Sequence, residues 1–306
     1  MHKGRVMVIG SANMDLVVRT ARFPEIGETI IGESFATNPG GKGANQAAAA
    51  GKLGGKPRFL AKVGADAFGR ELLHSLGVCG VDTGSVIVDP TLVSGVAVIT
   101  VDSEGRNTIV VSPGANGHLY ADEVEGEIEE VGPEILLAQL EVPLEAVEAA
   151  AAKLPADKLF ILNPAPARDL PDSLLQRVDY LTPNETETEF LTGIRPVTDE
   201  DCLAAADKLF AKGVRNVVIT LGEHGCFLAT PQFGQRFPTL EVRPVDTTAA
   251  GDAFNGALAF FLSEGRDIDN AILLANVVGA LSTQKTGAQS SMPTMREVRE
   301  AASELL

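Results

Sequence analysis

The densest concentration of chemistry in this sequence is Val245-Asp246-Thr247-Thr248-Ala249-Ala250-Gly251-Asp252-Ala253-Phe254. Downstream, Phe254, Ala257, Leu258, Phe261 and Leu262 recur at the spacing of one apolar helix face. Asp252 then falls in the first helical turn, about 200° around the axis from Phe254 and off that face. The amides of Ala249, Ala250 and Gly251 lie at the helix start, where N–H groups have no intrahelical acceptor. Small side chains leave room for an anion to reach them. That combination suits phosphoryl transfer: the amides take developing charge and the carboxylate accepts the nucleophile's proton. A lone Asp at a helix start can simply complement the helix dipole. The small-residue loop ahead of Asp252 favours the catalytic reading.

Other stretches are weaker taken singly. Asn38-Pro39-Gly40-Gly41-Lys42-Gly43-Ala44-Asn45-Gln46 pairs glycines ahead of an alanine-rich helix. It allows close backbone approach to a small polar ligand, with Lys42 and Asn45 as donors, or it is loop-to-helix punctuation. Asn13 and Asp15 could grip vicinal sugar hydroxyls, or form an Asx turn after a strand. Thr182-Pro183-Asn184-Glu185-Thr186-Glu187 gathers oxygen ligands that could organise Mg²⁺ and its waters, or is a charged helix start. Thr220-Leu221-Gly222-Glu223-His224-Gly225 ends an apolar run in a glycine turn, able to pass under a nucleotide or to close a plain hairpin.

Several classes are excluded. GxxxxGK[ST] and GxSxG are absent, and Gly10-Ser11-Ala12-Asn13-Met14-Asp15 lacks the later glycines of a dinucleotide fingerprint. With 25 Lys and Arg against 41 Asp and Glu, the net charge is −16, a poor general surface for nucleic acid or anionic membrane. A phosphate ligand must therefore be held locally. Cys79, Cys202 and Cys226 are dispersed, as are His2, His74, His118 and His224, without the spacing of a zinc site or disulfide scaffold. No export signal is visible. The uncharged stretch from Asn270 to Gln284 is too short to span a bilayer, so a soluble, cytoplasmic protein is expected.

These residues need a scaffold. Strand signals at Val6–Ile9, Phe59–Val63, Ile135–Leu140, Leu159–Leu162 and Val217–Thr220 alternate with helical patterns near 66–76, 144–154, 198–212 and 267–282. The rhythm predicts an α/β fold with a mostly parallel sheet, helices on both faces, and ligands at the strands' C-terminal ends. The acidic run Asp122–Glu130 reads as a solvated helix. Two stretches, about 15–37 and about 94–112, are strand-like without a helix between their runs. They predict a small accessory sheet, a candidate lid, or an antiparallel extension of the main sheet.

Taken in order, "GGKGANQA" (40–47), "NPAPAR" (163–168), "TPNETE" (182–187), "ITLGEHG" (219–225), "DTTAAGDAFNGAL" (246–258) and "KTGAQSSMP" (285–293) resemble the ribokinase branch of the PfkB carbohydrate kinase family, over essentially the whole chain. The resemblance implies a single three-layer α/β/α domain, residues 1–306, whose β lid pairs subunits into a homodimer. It implies ATP-dependent phosphorylation of D-ribose at the 5-hydroxyl, with 2-deoxyribose as the alternative sugar. Asp252 is then the general base and Ala249, Ala250 and Gly251 the anion hole. Asn13, Asp15, Gly41, Lys42, Asn45 and Glu141 match sugar-contacting positions. Asn184, Thr220, Gly222, Gly225, Gly251 and Asn276 match nucleotide-contacting ones, and Glu187 the residue that helps organise Mg²⁺. Asp246, Thr248, Ser282, Lys285, Gly287 and Ser291 match a loop that holds K⁺, several of them through backbone carbonyls. Where this chain has Ala249, many relatives have Gly. Ala keeps the N–H, so the anion hole can survive if that residue has a negative φ. A silent sugar-binding regulator would need neither Asp252 nor Glu187.

Overall fold

The structure, a computed structural model, describes residues 6–306; His2 lies outside them. In chain order it begins with β1 (Val6–Ile9), β2 (Asn13–Arg19), β3 (Ser34–Gly40) and α1 (Lys42–Lys52). Then come β4 (Arg58–Leu60), β5 (Lys62–Gly64), α2 (Ala67–Val78), β6 (Ile87–Asp89), β7 (Gly95–Val101) and β8 (Asn107–Ser112). The middle holds α3 (Ala121–Val131), β9 (Ile135–Ala138), α4 (Leu144–Lys153), β10 (Leu159–Leu162), α5 (Asp172–Leu175), β11 (Tyr180–Leu181), α6 (Glu185–Thr192) and α7 (Asp199–Phe210). The chain closes with β12 (Asn216–Thr220), β13 (Cys226–Ala229), β14 (Gly234–Phe237), α8 (Ala250–Ser263), α9 (Ile268–Ser282) and α10 (Met295–Ala301).

Eight strands form the main sheet in the order β14-β13-β12-β11-β10-β9-β1-β4. From β4 to β12 every pairing is parallel; β13 and β14 are antiparallel. The short apolar runs make this possible. VMVI, ILLA and LFIL are buried on both faces, as parallel strands covered by helices must be. Val8, Leu137, Ile161 and Val218 pack towards α1, α8 and α9. Met7, Leu136, Phe160 and Val217 pack towards α3, α4 and α7 on the other side. Alternation along each strand thus divides one sheet between two cores and gives the three-layer α/β/α architecture. The chain leaves β1 towards β4 and later returns on β1's other side as β9. The connections leaving β1 and β9 therefore run to opposite sides and open a crevice beyond the strands' C-terminal ends.

A separate four-stranded sheet has the order β3-β2-β7-β8. Its outermost strand β8 is exposed throughout, including Ile109, Val110 and Val111. The run Phe59–Val63, expected as one strand, is divided. β4 pairs with β1, whereas β5 turns away to pair with β6. Lys62 accounts for the break: its buried ammonium donates to the His118 carbonyl at 2.8 Å and pairs with Glu123 at 2.6 Å, contacts not available within the main sheet. The acidic helix α3 is solvated on one side only, with Val124 and Ile128 fully packed. Among the described residues no helix is long and apolar enough to cross a membrane.

Candidate active site

Asp252 occupies the first turn of α8, as its spacing predicts, but the helix is buried nearly all round instead of along one stripe. The reason is α1, which packs on the face that carries Asp252. Gly256 permits this approach: a Cβ there would stand 2.2 Å from the Gln46 carbonyl oxygen. Asp252 is only 7% exposed, yet it is met by polar groups and not by hydrocarbon. Asn45 Nδ2 donates to Oδ2 and Gln46 Nε2 to Oδ1, both at 3.0 Å. Burial pushes this carboxyl above its usual range. The Lys42 ammonium and the two amide hydrogen bonds act in the opposite sense, while the charge of Glu141 adds to the rise. Asn45 Oδ1 is buried without a partner among the described residues, an acceptor left for a ligand hydroxyl.

The loop ahead of the helix differs from expectation in two ways. Ala249 is left-handed, φ +60° and ψ +16°, so the condition of a negative φ is not met. The turn it makes lets the Ala250 N–H donate to the Thr247 carbonyl at 3.3 Å, so this amide is not free. Ala249, Gly251 and Asp252 keep N–H groups without an acceptor among the described residues. The amides left free at this helix start, where an anion could be accepted, are thus those of residues 249, 251 and 252 and not that of Ala250.

Across the crevice, Glu141 lies beyond β9 and the Ser11–Asn13 segment beyond β1. Glu141 Oε2 accepts from the Ser11 hydroxyl, the Lys42 N–H at 3.1 Å and, at 3.5 Å, Asn13 Nδ2. Asn13 is oriented from its other end: its Oδ1 accepts from Asn116 Nδ2 at 2.8 Å. Asn116 also brackets the Ala12 backbone, accepting from its N–H at 2.9 Å and donating to its carbonyl at 3.0 Å. Gly41, with φ +90°, sits where any Cβ would be 2.7 Å from the Asn13 nitrogen. Only glycine lets α1 begin this close to the end of β1. Asp15, on β2, has its carboxyl pushed up to about 7, first by burial and then by the charges of Glu141 and Asp252. Lys42 answers this crowd of carboxylates. Burial alone would lower its pKa, but Asp252, Glu141 and Glu187 hold it above the ordinary value.

Asn184 and Glu187 make a reciprocal capping box at the start of α6. The Asn184 side chain accepts from Glu187 N–H at 2.8 Å, and Glu187 accepts from the Asn184 N–H at 2.9 Å. Burial raises the Glu187 carboxyl, opposed by the Asn184 backbone hydrogen bond and by Lys42. A single bridge joins Asn184 to Thr220 at the end of β12. Gly222 (φ +56°) and Gly225 (φ +79°) then turn the chain into antiparallel β13, so this segment is a hairpin whose glycine turn sits at the sheet's C-terminal edge. Asn276 is turned inward: its Nδ2 donates to the Pro238 carbonyl at 3.0 Å and tethers the chain leaving β14 to α9.

Asp246 joins the two loop segments expected to hold a cation. Its Oδ1 accepts from Thr248 N–H at 3.0 Å and its Oδ2 from Gly287 N–H at 2.9 Å. Ser282 and Ser291 are fully buried, with hydroxyls donated to the carbonyls of Gly279 and Ala288. Lys285 turns its ammonium away to Glu297. Several contributors escaped the sequence reading: Ser11, Gln46, Asn116, Gln139 and Asn255. Gln46 and Asn255 lie inside recognisable motifs but carry no signal of their own there.

The sequence matches the pattern of the pfkB family carbohydrate kinases over residues 3–295. It is 41% identical over 302 residues to the ribokinase of Bacillus subtilis, covering 97% of this chain and 99% of that one. It is 40% identical over 296 residues to the ribokinase of Haemophilus influenzae, covering 96% of each. A deoxyribokinase of Salmonella typhi is 38% identical over 298 residues, covering 96% of this chain and 97% of its own. Arabidopsis thaliana ribokinase, solved with ribose and ATP, superposes with a TM-score of 0.90 at 32% identity, over 97% of this chain and 98% of that one. Sequence pattern and fold agree along nearly the full length, and the chain belongs to the PfkB family of carbohydrate kinases.

Proposed function

We propose that this protein transfers the γ-phosphoryl group of ATP to the 5-hydroxyl of D-ribose, giving ribose 5-phosphate and ADP. The observation that carries the reading is the carboxylate of Asp252. It is held by Asn45 and Gln46 as a pure acceptor, next to helix-start amides without acceptors. Asp252 takes the proton of the 5-hydroxyl as that oxygen's lone pair forms the new bond to phosphorus. The bond to the ADP oxygen breaks, and the amides of Ala249 and Gly251 meet the charge on the transferring group. Asp15 and Glu141 accept sugar hydroxyls, Asn13, Lys42 and Asn45 donate to them, and Asn45 Oδ1 accepts one more. Gly41 brings the backbone close.

Nucleotide binding falls to the C-terminal edge of β11 and β12, at Asn184, Thr220, Gly222 and Gly225, with Gly251 facing the phosphates. Asn276 contributes by anchoring the β14 exit. Among the described residues no three His, Cys, Asp or Glu side chains are grouped to cage an ion. That suits Mg²⁺, which keeps its waters and arrives with phosphate, leaving Glu187 to act on its hydration shell. Bound Mg²⁺ neutralises phosphate charge. The fit for K⁺ is of another kind. Asp246 ties its own loop to Gly287, and the Lys285 ammonium is turned out to Glu297; K⁺ would be held by Asp246 with hydroxyl and carbonyl oxygens of Thr248, Ser282, Lys285, Gly287 and Ser291. K⁺ held there would stiffen the loop behind the amides and add positive potential. The exposed apolar strand β8 is the face through which two copies pair as a homodimer. Free thiols at Cys79, Cys202 and Cys226 suit the reducing cytoplasm.

The reading is tested by ATP-consumption assays with ribose, 2-deoxyribose, fructose and adenosine, each in K⁺ and in Na⁺, with light scattering at assay concentration. Ribose is expected to give the highest kcat/KM, K⁺ to outperform Na⁺, and the mass to be that of a dimer. A preference for 2-deoxyribose would transfer the assignment to the sister activity. Equal rates in the two salts would remove the cation site.

A further inference from the structure

The last strand residues of β9, β10 and β11 stand side by side, Ala138 opposite Leu162 and Leu162 opposite Leu181. The next residue on each strand is polar: Gln139, Asn163 and Thr182. The ladder continues through them, with Asn163 N–H donating to Ala138 and Thr182 N–H to Leu162. By strand alternation they share the face of Leu137 and Ile161, which looks onto α1 and α8. A row of buried polar side chains thus underlies Asp252.

The row is wired into a circuit. Gln46, fully buried, donates through Nε2 to Asp252 Oδ1 at 3.0 Å and to Asn163 Oδ1 at 3.1 Å, while its Oε1 accepts from Gln139 Nε2. Asn163 Nδ2 donates to the Thr182 carbonyl at 2.9 Å. The Thr182 hydroxyl donates to Asn255 Oδ1 at 2.6 Å, and Asn255 Nδ2 donates to the Gly251 carbonyl at 2.8 Å. Gly251 adjoins Asp252, which closes the ring. Every amide orientation is dictated: flipping Gln46 would set its oxygen against a carboxylate oxygen and leave Gln139 without its acceptor.

We infer that Gln46 is a positioning residue for the transfer step: its two amide hydrogens, shared between Asp252 and Asn163, hold the carboxylate in one orientation, and Asn163, Thr182 and Asn255 link that orientation to the helix-start loop at Gly251. The base and the anion-accepting amides are thereby set by one buried network, not independently. This inference rests on the proposed kinase reading. Gln139 Oε1 at the margin of the network is buried without a partner among the described residues, but the donors and acceptors that link Gln46, Asn163, Thr182 and Asn255 are paired, and such a network in a low-dielectric interior gains rigidity that an isolated pair lacks.

The test compares Gln46→Met, which keeps length and removes the donor, with Asn163→Ala, which removes Gln46's second anchor and its link to the Thr182 carbonyl, and with Asp252→Asn. Each variant of the full chain is assayed for kcat and for KM with ribose across pH, and its folded fraction is measured by thermal unfolding. Charges facing Asp252 that stay in place are Lys42 on α1, Asp15 on β2, Glu141 after β9 and Glu187 on α6. Gln46→Met is expected to lower kcat about 10- to 100-fold, with KM for ribose within about 2-fold. Loss of a donor to the carboxylate also moves the acid limb of kcat upward by roughly one pH unit. Asn163→Ala is expected to lower kcat by a smaller factor with the acid limb in place. Wild-type kcat and pH profile per folded Gln46→Met enzyme, beside an inactive Asp252→Asn, overturn the inference and leave the kinase reading standing. Should Gln46→Met not fold, unchanged kcat per folded Asn163→Ala enzyme overturns it equally. Near-parental turnover in Asp252→Asn instead removes Asp252 as the base, and a parent enzyme that consumes no ATP with any sugar removes the kinase reading itself.

Discussion

Gly256 and Gln46 touch backbone to backbone: a Cβ on Gly256 would lie 2.2 Å from the Gln46 carbonyl oxygen and 2.8 Å from the Ala49 side chain. This contact sets the spacing of α8 and α1, and so the reach of Asn45 and Gln46 to Asp252. Gly256→Ala must push the helices apart. The expected cost is about 1–3 kcal/mol of stability, read as a lower Tm in calorimetry, with kcat lowered more than ribose affinity. An unchanged melting curve would show that the helices are free to shift.

Ala249 is one of two non-glycine residues with positive φ among the described residues, the other being Lys56. An L-residue pays about 1–2 kcal/mol for that conformation. Ala249→Gly removes the strain but loosens the unfolded chain, so a net gain of roughly 0.5–1 kcal/mol is expected. Because the amide is retained, kcat should stay close to that of the parent. A lower Tm for Ala249→Gly would mean that the left-handed conformation is not strained here.

Asp15 predicts two pH effects of opposite sign. Without sugar its folded pKa, about 7, lies above the ordinary 3.8, so between those values the folded protein holds a proton that the unfolded chain releases. Its contribution therefore makes the fold less stable as pH rises through that window. On the proposed function Asp15 accepts sugar hydroxyls as an ionised carboxylate, so ribose affinity should strengthen over the same rise and level off above about pH 7. Calorimetric titration of ribose across this range checks the second effect. An affinity independent of pH, or a pH dependence that persists in Asp15→Asn, would exclude Asp15 as its source.

Much of the scaffold is legible from local pattern. Runs such as Val6–Ile9 and Leu159–Leu162 are strands because β-branched and aromatic residues covered on both faces need no polar alternation. Asp252 stands out because a small-residue loop and a helical stripe meet there. What the sequence conceals is set by contacts distant in the chain. Gln46 reaches Asp252 across 206 positions, and Asn116 reaches Ala12 across 104. The Phe59–Val63 run divides because Lys62 finds its partners outside the main sheet. The sign of φ at Ala249 depends on a turn closed from Thr247 to Ala250, which residue type alone does not specify. The one-sided stripe on α8 was legible, but the second covering by α1 depends on Gly256, a glycine with no local signature.

In the proposed reaction Asp252 removes the proton from the sugar hydroxyl. The most direct test of this step is single-turnover formation of ribose 5-phosphate by Asp252→Asn, with ribose binding measured separately on the same preparation. General-base loss predicts a rate lower by about 10²–10⁴-fold, with ribose bound as tightly as by the parent to within a few-fold. Phosphorylation by Asp252→Asn at close to the parent's rate would contradict the account.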